Sequence, residues 1–447
     1  MTLDLLWTDQ CFLVLVIIST GLILRSLKNE PVRRSFKQII SKPIPVSAGI
    51  ILLIFLVIGI LDSIQFKTAE SIRAASLLDK LLAPLDSEYE KTYSAPLSLH
   101  LYSTEMVFEE GSAKQIYPRL HYPPAFLQNQ QEVQPLVIKI LSGSALVAFL
   151  GVVVIWFLMV FYRAIRHYPK LIYFSSASLS ALITLFVSIT ILMSTYWLSR
   201  YLHVLGTGKI GQDVFYYAIK SIRTGLVIGT LTTLFMMPLA LILGISAGYF
   251  GGFIDDVIQY IYTTLSSIPG VLLITASVLS MQTFIANHPE QFTTLAQSAD
   301  ARLLALCFIL GVTSWTSLCR LLRAEALKLR EIDYVLAAQA LGSSSIKILF
   351  KHLLPNVMHI VVITLVLDFS FLVLAEAVLS YVGVGVSPLT ISWGNMINAA
   401  RLELAREPIV WWPMFAAFVF MFVLVLASNL FADAVRDAFD PKQAGIE

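Results

Sequence analysis

Charge is what this sequence has least of. Of its 447 residues only 13% are Asp, Glu, Lys or Arg, while 57% are hydrophobic; mean hydropathy is +0.78. A water-soluble domain keeps about a quarter of its residues charged. An ordinary soluble enzyme is therefore excluded, and a polytopic membrane protein is implied. The net charge of +2, with no basic tract interleaved with aromatics, argues against nucleic acid as a partner. Cysteine is scarce as well. Cys11, Cys307 and Cys319 fall in or beside apolar runs and no C-x-x-C occurs, so neither a disulfide framework nor a thiolate zinc site is indicated. No His/Asp/Glu cluster has metal-ligand spacing and no G-x-S-x-G is present, which leaves a membrane-embedded enzyme without support. The first residues lack a basic leader and a small-residue cleavage site, so 11–27 reads as a retained span.

What is there in abundance is long apolar runs. A bilayer core needs roughly 17–25 such residues per helix. Nine runs qualify, at about 11–27, 45–61, 136–162, 171–198, 222–248, 256–282, 303–322, 357–381 and 410–431. Short-loop Lys and Arg mark the cytoplasmic side. The segment 25–43 carries Arg25, Lys28, Arg33, Arg34, Lys37 and Lys42 against Glu30, and the turn 163–170 carries Arg163, Arg166 and Lys170. The loop after the seventh run adds Arg320, Arg323, Lys328, Arg330, Lys347 and Lys351. Nine spans place all three on one side, together with the C-terminal tail, and leave the N-terminus outside. The stretch 62–135 is then external. Its Tyr, Pro and Leu content suits a small ordered cap, either a contact for a soluble binding protein or a lid with no contact.

The polar interruption 323–356 carries the most information. Ala337 and Ala338 favour helix, Gly342 offers a left-handed stop, Ser343 to Ser345 offer an N-cap, and Pro355 punctuates the chain before the next span. The result is a helix-turn-helix on the membrane surface. One helix places Tyr334, Ala337, Ala338 and Leu341 on one face, and the next places Ile346, Leu349, Phe350 and Leu353 on another. The expectation is that these stripes pin the hairpin to the spans while Gly342 presents its turn outward. An ordinary basic loop is the alternative on physics alone.

Three other patterns invite chemistry. Gly206, Gly208 and Gly211 fit G-x-G-x-x-G, but a dinucleotide site needs that turn inside a βαβ unit, and here it follows a span. Gly208-Lys209 is no phosphate loop, because His203 and Ile210 stand where Gly and Ser or Thr are needed. The paired glycines Gly251 and Gly252 allow a tight reversal, and Asp255 can cap the next helix. Asp368 and Glu376 lie inside a span, eight residues apart. Ionisable groups there cost roughly 2.5–3.5 kcal/mol on insertion scales. They wall a pathway, make interhelical hydrogen bonds or relay protons; Asp368 is the better pathway candidate and Glu376 the better structural one.

These patterns share a family resemblance. Ala337-Ala338, Ala340-Leu341-Gly342 and, ten residues on, His352 to Asn356 with Leu354-Pro355 resemble the "EAA" loop of ABC-importer permeases in the form used by the peptide and nickel group. The motif's glutamate is Leu336 here. LGTGKIGQDVF resembles that group's LGTDxxGRDV, keeping Gly206, Thr207, Gly211 and Asp213, with Gly208 in place of Asp and Gln212 in place of Arg. Gly248 to Asp255 resembles GYYGGxxD, although the Arg and Asp often found in the following helix are Tyr260 and Thr263. Glu376 to Val386, Ser392 to Met396 and Asp433 to Pro441 resemble EAxLSFLGLGV, SWGNM and the closing RDxxDP. The likeness covers about 171–441.

The resemblance implies an all-α polytopic fold, with a six-helix permease core preceded by about three extra transmembrane helices. The divisions are 1–61 (two spans and a basic loop), 62–135 (external insertion), 136–170 (an extra span and basic turn) and 171–441 (permease domain with docking loop 323–356). It further implies a C-type subunit of the bacterial inner membrane, working with a second related permease, two cytoplasmic ABC ATPases and an external solute-binding protein. ATP and Mg would sit on the partners and no cofactor on this chain. Gly206, Gly211, Asp213, Gly251, Gly252 and Asp255 would be structural turns. Peptides are the implied cargo, with nickel or a peptide antibiotic open. The rival is a self-sufficient transporter or channel built on the intramembrane acids.

Overall fold

The computed structural model describes residues 2–3, 5–67, 74–87, 89–109, 112–165, 175–292 and 294–439. Arg166, Lys170, residues 171–174 and the Asp440-Pro441 end of the closing motif lie outside them. In chain order the helices are α1 (Trp7–Ser26), α2 (Glu30–Ser41), α3 (Pro43–Ser63), α4 (Leu77–Leu81), α5 (Ala83–Ser87), α6 (Val133–Ile165), α7 (Ser176–Leu198) and α8 (Val214–Phe250). Then follow α9 (Gly252–Ser267), α10 (Gly270–Asn287), α11 (Leu295–Arg330), α12 (Asp333–Ala340), α13 (Ser345–Ile348), α14 (Leu354–Val382), α15 (Trp393–Ala400) and α16 (Trp412–Phe439). Among the described residues nine helices are long and apolar enough to cross a membrane: α1, α3, α6, α7, α8, α10, α11, α14 and α16. The fold is polytopic and all but wholly α.

One expected span is overturned. The run 256–282 is not one helix: α9 stops at Ser267 and α10 starts at Gly270. Pro269 lacks an N–H and forces the residue before it out of the helical region, and Ile268 sits at φ −85°, ψ 131°. The helix of spanning length is therefore 270–287. Elsewhere the helices outrun the apolar runs, as in α11, which extends 303–322 to 295–330. The added ends are polar, so hydropathy carries no signal for them.

The chain divides into two compact units. The first comprises 1–5, 36–223 and 391–430. In it α7 packs on both α3 and α6. The described part of 62–135 forms a cap on this unit. Short strands β1 (Thr2–Leu3), β2 (Gln65–Lys67) and β3 (Ala75–Ser76) pair antiparallel in that order, with Thr2 opposite Lys67 and Gln65 opposite Ser76. Strands β4 (Glu105–Glu109) and β5 (Ser112–Ile116) form a hairpin. Leu99 and Leu127 from the cap are buried with Val133, Leu198 and Leu202. A fully buried Leu stabilises a water-facing fold by roughly 1.5–3 kcal/mol, so this cluster fixes the cap to the tops of α6 and α7. Ser76 caps α4 through a box with Asp79: the Ser76 Oγ accepts the Asp79 N–H, and Asp79 Oδ2 accepts the Ser76 N–H at 2.9 Å.

The second unit comprises 6–35, 224–390 and 431–447. Lipid gives apolar side chains little reason to prefer protein, so close backbone approach has to hold such helices together. Gly244 and Gly248, one turn apart on α8, supply it. A Cβ on Gly244 would lie 2.8 Å from the Cys319 carbonyl, and one on Gly248 2.6 Å from that of Arg323. Met236, Ala240, Ile245, Leu318, Leu322 and Ala326 fill the buried seam beside them. α1 packs on α11 as well. Leu6 gives α1 no side-chain cap; instead Asp300 of α11 accepts the Thr8 N–H at 3.1 Å and the Thr8 hydroxyl. An acid from another helix thus does the work of an N-cap.

Candidate functional site

The loop 323–356 begins on α11. α12 ends at Ala340, and Gly342 follows at φ +75°. Gly342 N–H donates to the Gln339 carbonyl and Ser343 N–H to the Ala338 carbonyl, at 2.9 and 3.0 Å. This is the Schellman closure that a left-handed residue permits. The chain then enters α13, passes a π-helical stretch Leu349–Leu353 and continues directly into α14. Pro355 therefore does not interrupt the chain. It sits in the first turn of α14, where a missing N–H costs nothing. The Ser344 side chain makes no cap hydrogen bond.

The expected anchoring stripes are also corrected. Val335, Ala338, Ile348 and Leu353 are the buried residues. Tyr334, Ala337 and Leu341 of one stripe are exposed, as are Ile346 and Phe350 of the other; Ala340, beside the first stripe, is exposed too. Leu341 is 85% exposed, Ile346 68% and Phe350 66%. Both faces of these short helices are apolar, so periodicity alone did not tell the buried one from the open one. Leu336, in place of the motif glutamate, is 48% exposed and adds to the open apolar face. Nothing lies within 4 Å of a Cβ built on Gly342. Leu354 is half-buried and Pro355 exposed. Asn356 Nδ2 donates to the Tyr334 hydroxyl at 2.9 Å, tying α14 back to α12.

The base of the loop is locked by an ion pair. Arg323 donates through Nε and Nη2 to the two oxygens of Asp255, the second bond at 2.7 Å, and Gln259 adds a donor at 3.0 Å. Asp255 was expected to cap α9. Gly251 holds the cap position instead, without a side-chain bond, and the carboxylate turns to α11. The hydrogen bond from Arg323 holds the Asp255 carboxyl below the usual carboxylate range. Gly251 and Gly252 have φ of +66° and +53° at the reversal between α8 and α9.

On α14, Glu376 is 3% exposed and accepts the Ser380 hydroxyl at 2.7 Å, an intrahelical bond of a structural kind. Asp368 is half-buried and has no hydrogen-bond partner among the described residues.

The loop between α7 and α8 in the first unit holds Gly206, Gly211 and Asp213. Gly206 and Gly211 have φ of +70° and +75°, and a Cβ on Gly211 would strike the Glu90 backbone of the cap. Thr207 Oγ1 accepts the Ser94 N–H at 2.7 Å, and Trp412 Nε1 donates to the Thr207 carbonyl at 2.9 Å. Asp213 Oδ1 accepts the Tyr216 N–H, and Oδ2 lies 2.6 Å from His203 Nδ1. That His is buried, stacks on Tyr122 and has Glu90 Oε1 3.9 Å from its other nitrogen.

Sequence reading missed that His203–Asp213 pair and a second cluster. Lys220 of α8 reaches Asp79 of α4 at 2.6 Å and Asp62 of α3 at 3.6 Å, and Tyr216 donates to the same Asp79 oxygen at 2.8 Å. Burial alone would raise the Asp79 carboxyl; Lys220 and the bonds from Ser76 and Tyr216 outweigh it and bring it below its ordinary value. A Lys at the start of a long apolar helix was the available signal, since such a charge needs a partner.

Comparison with known proteins places this architecture. Residues 240–445 match the family model described as binding-protein-dependent transport system inner membrane component. A dipeptide transport system permease protein of Lactococcus lactis is 32% identical over 240 residues, 54% of this chain and 64% of that one. A glutathione transport system permease protein of Pectobacterium atrosepticum is 31% identical over 241 residues, 54% of this chain and 73% of the other. An oligopeptide transport system permease protein of Bacillus subtilis is 28% identical over 240, covering 54% and 72%. The chain thus spans just under two thirds of the first of these relatives. It is a multi-pass membrane protein and belongs to the binding-protein-dependent transport permeases, in the peptide ABC-importer group.

Proposed function

We propose that this chain is the C-type permease subunit of an ATP-driven importer whose cargo is peptides. It pairs with a second related permease, receives solute from an external binding protein and is driven by two cytoplasmic ATPases that hold the ATP and Mg. The N-terminus and cap face outward, and the tail and loop 323–356 face the cytoplasm of a bacterial inner-membrane cell. No residue of this chain is catalytic. ATP-driven movement of the ATPases is passed through Ala337, Ala338, Ala340, Leu341 and Gly342 to α14 by way of Leu354 and Pro355.

The observation that carries this reading is the open apolar face around Gly342. Leu336, Leu341, Ile346 and Phe350 are exposed on a basic loop, while a buried set fastens the same helices from behind. Contiguous exposed apolar surface with a polar rim marks a protein partner. The uninterrupted path from α13 into α14 supports a stiff lever, because a helix transmits displacement that a loop absorbs. Asp368, half-buried and without a hydrogen-bond partner among the described residues, supports a place on the solute pathway.

The test is purification of the tagged full chain from native membranes in mild detergent, with co-purifying chains identified by mass. The expected result is a second permease and ABC ATPases. Recovery of the chain alone, still moving solute into vesicles without ATP, would overturn the proposal and return attention to Asp368 and Glu376.

A further inference from the structure

The departures at Gly208 and Gln212 from the LGTDxxGRDV pattern line one cleft of the first unit, open to solvent, with a cavity volume of about 90 Å³, well below that of a site for a whole small ligand. Tyr93 of the cap forms part of its wall and Glu403 another. Val214, Met396 and Pro413 make the apolar side.

The polar groups are unequally satisfied. Gln212 Oε1 accepts the Ile210 N–H at 3.0 Å. That bond fixes the amide's orientation and leaves its NH2 without an acceptor among the described residues. Lys209 is exposed and has no acceptor among them either. Glu403 is already paired, with Arg406 at 3.6 Å. Arg406 also covers the Tyr93 ring at 5.2 Å. The Tyr93 hydroxyl is buried with Glu403 and Arg406 as its polar neighbours; burial, then Glu403, pushes it up. With Glu403 held by Arg406, Lys209 is the one unpaired charge among the lining residues, and no free negative acceptor faces it among them.

Gly208 explains why that acceptor is missing. A Cβ on Gly208 would lie 2.7 Å from Gln212 Nε2. An Asp at 208, as in the resembled pattern, would push the Gln212 side chain aside and bring a carboxylate into that part of the cleft. Glycine removes that internal anion and leaves its place open.

We propose that the cleft takes the C-terminal residue of a peptide, its carboxylate on Lys209 and the Gln212 amide and its apolar side chain against Val214, Met396 and Pro413. This rests on the peptide-permease reading above, and makes the loop between α7 and α8 and the cap together a subsite for the free C-terminus. Charge-assisted bonds of this kind are the strong ones.

The test uses the full chain in lipid nanodiscs and the N-terminally fluorescein-labelled tripeptide Ala-Ala-Leu, with its C-terminal amide for comparison, read by fluorescence anisotropy. The free acid is expected to bind at least tenfold more tightly than the amide. Lys209→Gln should erase that difference. Gly208→Asp should abolish binding of the free acid while the protein stays monodisperse and keeps its ATPase partners. Equal binding of acid and amide, or unchanged discrimination in Lys209→Gln, would overturn the proposal. So would failure of either peptide to bind wild type; if ATPases still co-purify in that case, the subunit reading stands and only the subsite falls. A cross-link from Lys209 to the solute-binding protein that excludes the peptide would also overturn it.

Discussion

Gly342→Trp separates a docking turn from a merely structural one. Gly342 sits at φ +75° and its Cβ direction is empty to 4 Å. An ordinary L residue held in the left-handed region costs roughly 1–2 kcal/mol. The turn's closing bonds, from Gly342 and Ser343 to Gln339 and Ala338, are backbone bonds that a Trp or Asn side chain leaves in place. The permease should therefore still fold. The indole, however, projects into open space on the turn that joins the helices carrying the exposed Leu341, Ile346 and Phe350. Anchors of that kind contribute upward of 1–2 kcal/mol each at an interface. Holding two off their pocket costs about 3 kcal/mol, or roughly a hundredfold in affinity. Gly342→Asn is the control, since Asn tolerates the same backbone at little cost. The assay is recovery of the ATPase on the tagged chain, with ATP-dependent uptake in parallel. Asn should preserve both and Trp should lose both. Wild-type recovery and uptake with Trp would refute the docking assignment. Equal failure of Asn and Trp would show that the backbone conformation, not the bulk in front of it, is what matters.

Three further outcomes follow from the ion pairs and caps. Asp300→Ala removes both bonds to Thr8 and should loosen the first turn of α1 by about 1–2 kcal/mol, seen as faster hydrogen exchange at residues 8–11; unchanged exchange would deny Asp300 its capping role. Asp79 has a folded-state pKa below its unfolded value, so its contribution is present at neutral pH and lost as pH falls below about 3.8 through the folded value. Proteolysis of the cap should therefore rise only in strong acid, and Lys220→Met, which leaves two buried acids uncompensated, should destabilise the cap by roughly 3–5 kcal/mol at neutral pH; a cap equally resistant in the variant would contradict this. Arg323→Lys keeps the charge but not the fork on Asp255 and should lower thermal stability by about 1–2 kcal/mol, with Arg323→Gln lower still; equal melting of all three would mean the pair adds nothing.

Much of this was legible in the residues because two strong signals dominate. Apolar length located the spans from 11–27 to 410–431, and the motifs from Gly206 to Asp433 ordered the permease region. What failed did so for identifiable reasons. Counting apolar residues ignored Pro269, whose local geometry outweighs the hydropathy of its surroundings. The stripe around Ala338 was assigned by period, but residues 334–341 and 346–353 are apolar on both sides, so Val335 and Ile348 were missed as the buried members. Asp255 looked like a cap because capping is a local rule, whereas its partner Arg323 lies 68 residues away. The Lys220–Asp79 pair spans 141 residues and has no periodicity to betray it. Local chemistry can be read along a chain; the choice between two local options is made by distant residues.

The cap that Asp300 places on α1 has a consequence for the order of biogenesis. Thr8 leaves the ribosome 292 residues before its acceptor does. At about 5–20 residues per second, that interval is roughly 15–60 s. Throughout it the first turn of α1 has to find other acceptors at the bilayer surface. α1 can enter the membrane early, but its seat is completed only when α11 arrives, so a helix made well before α11 is fixed no earlier than it.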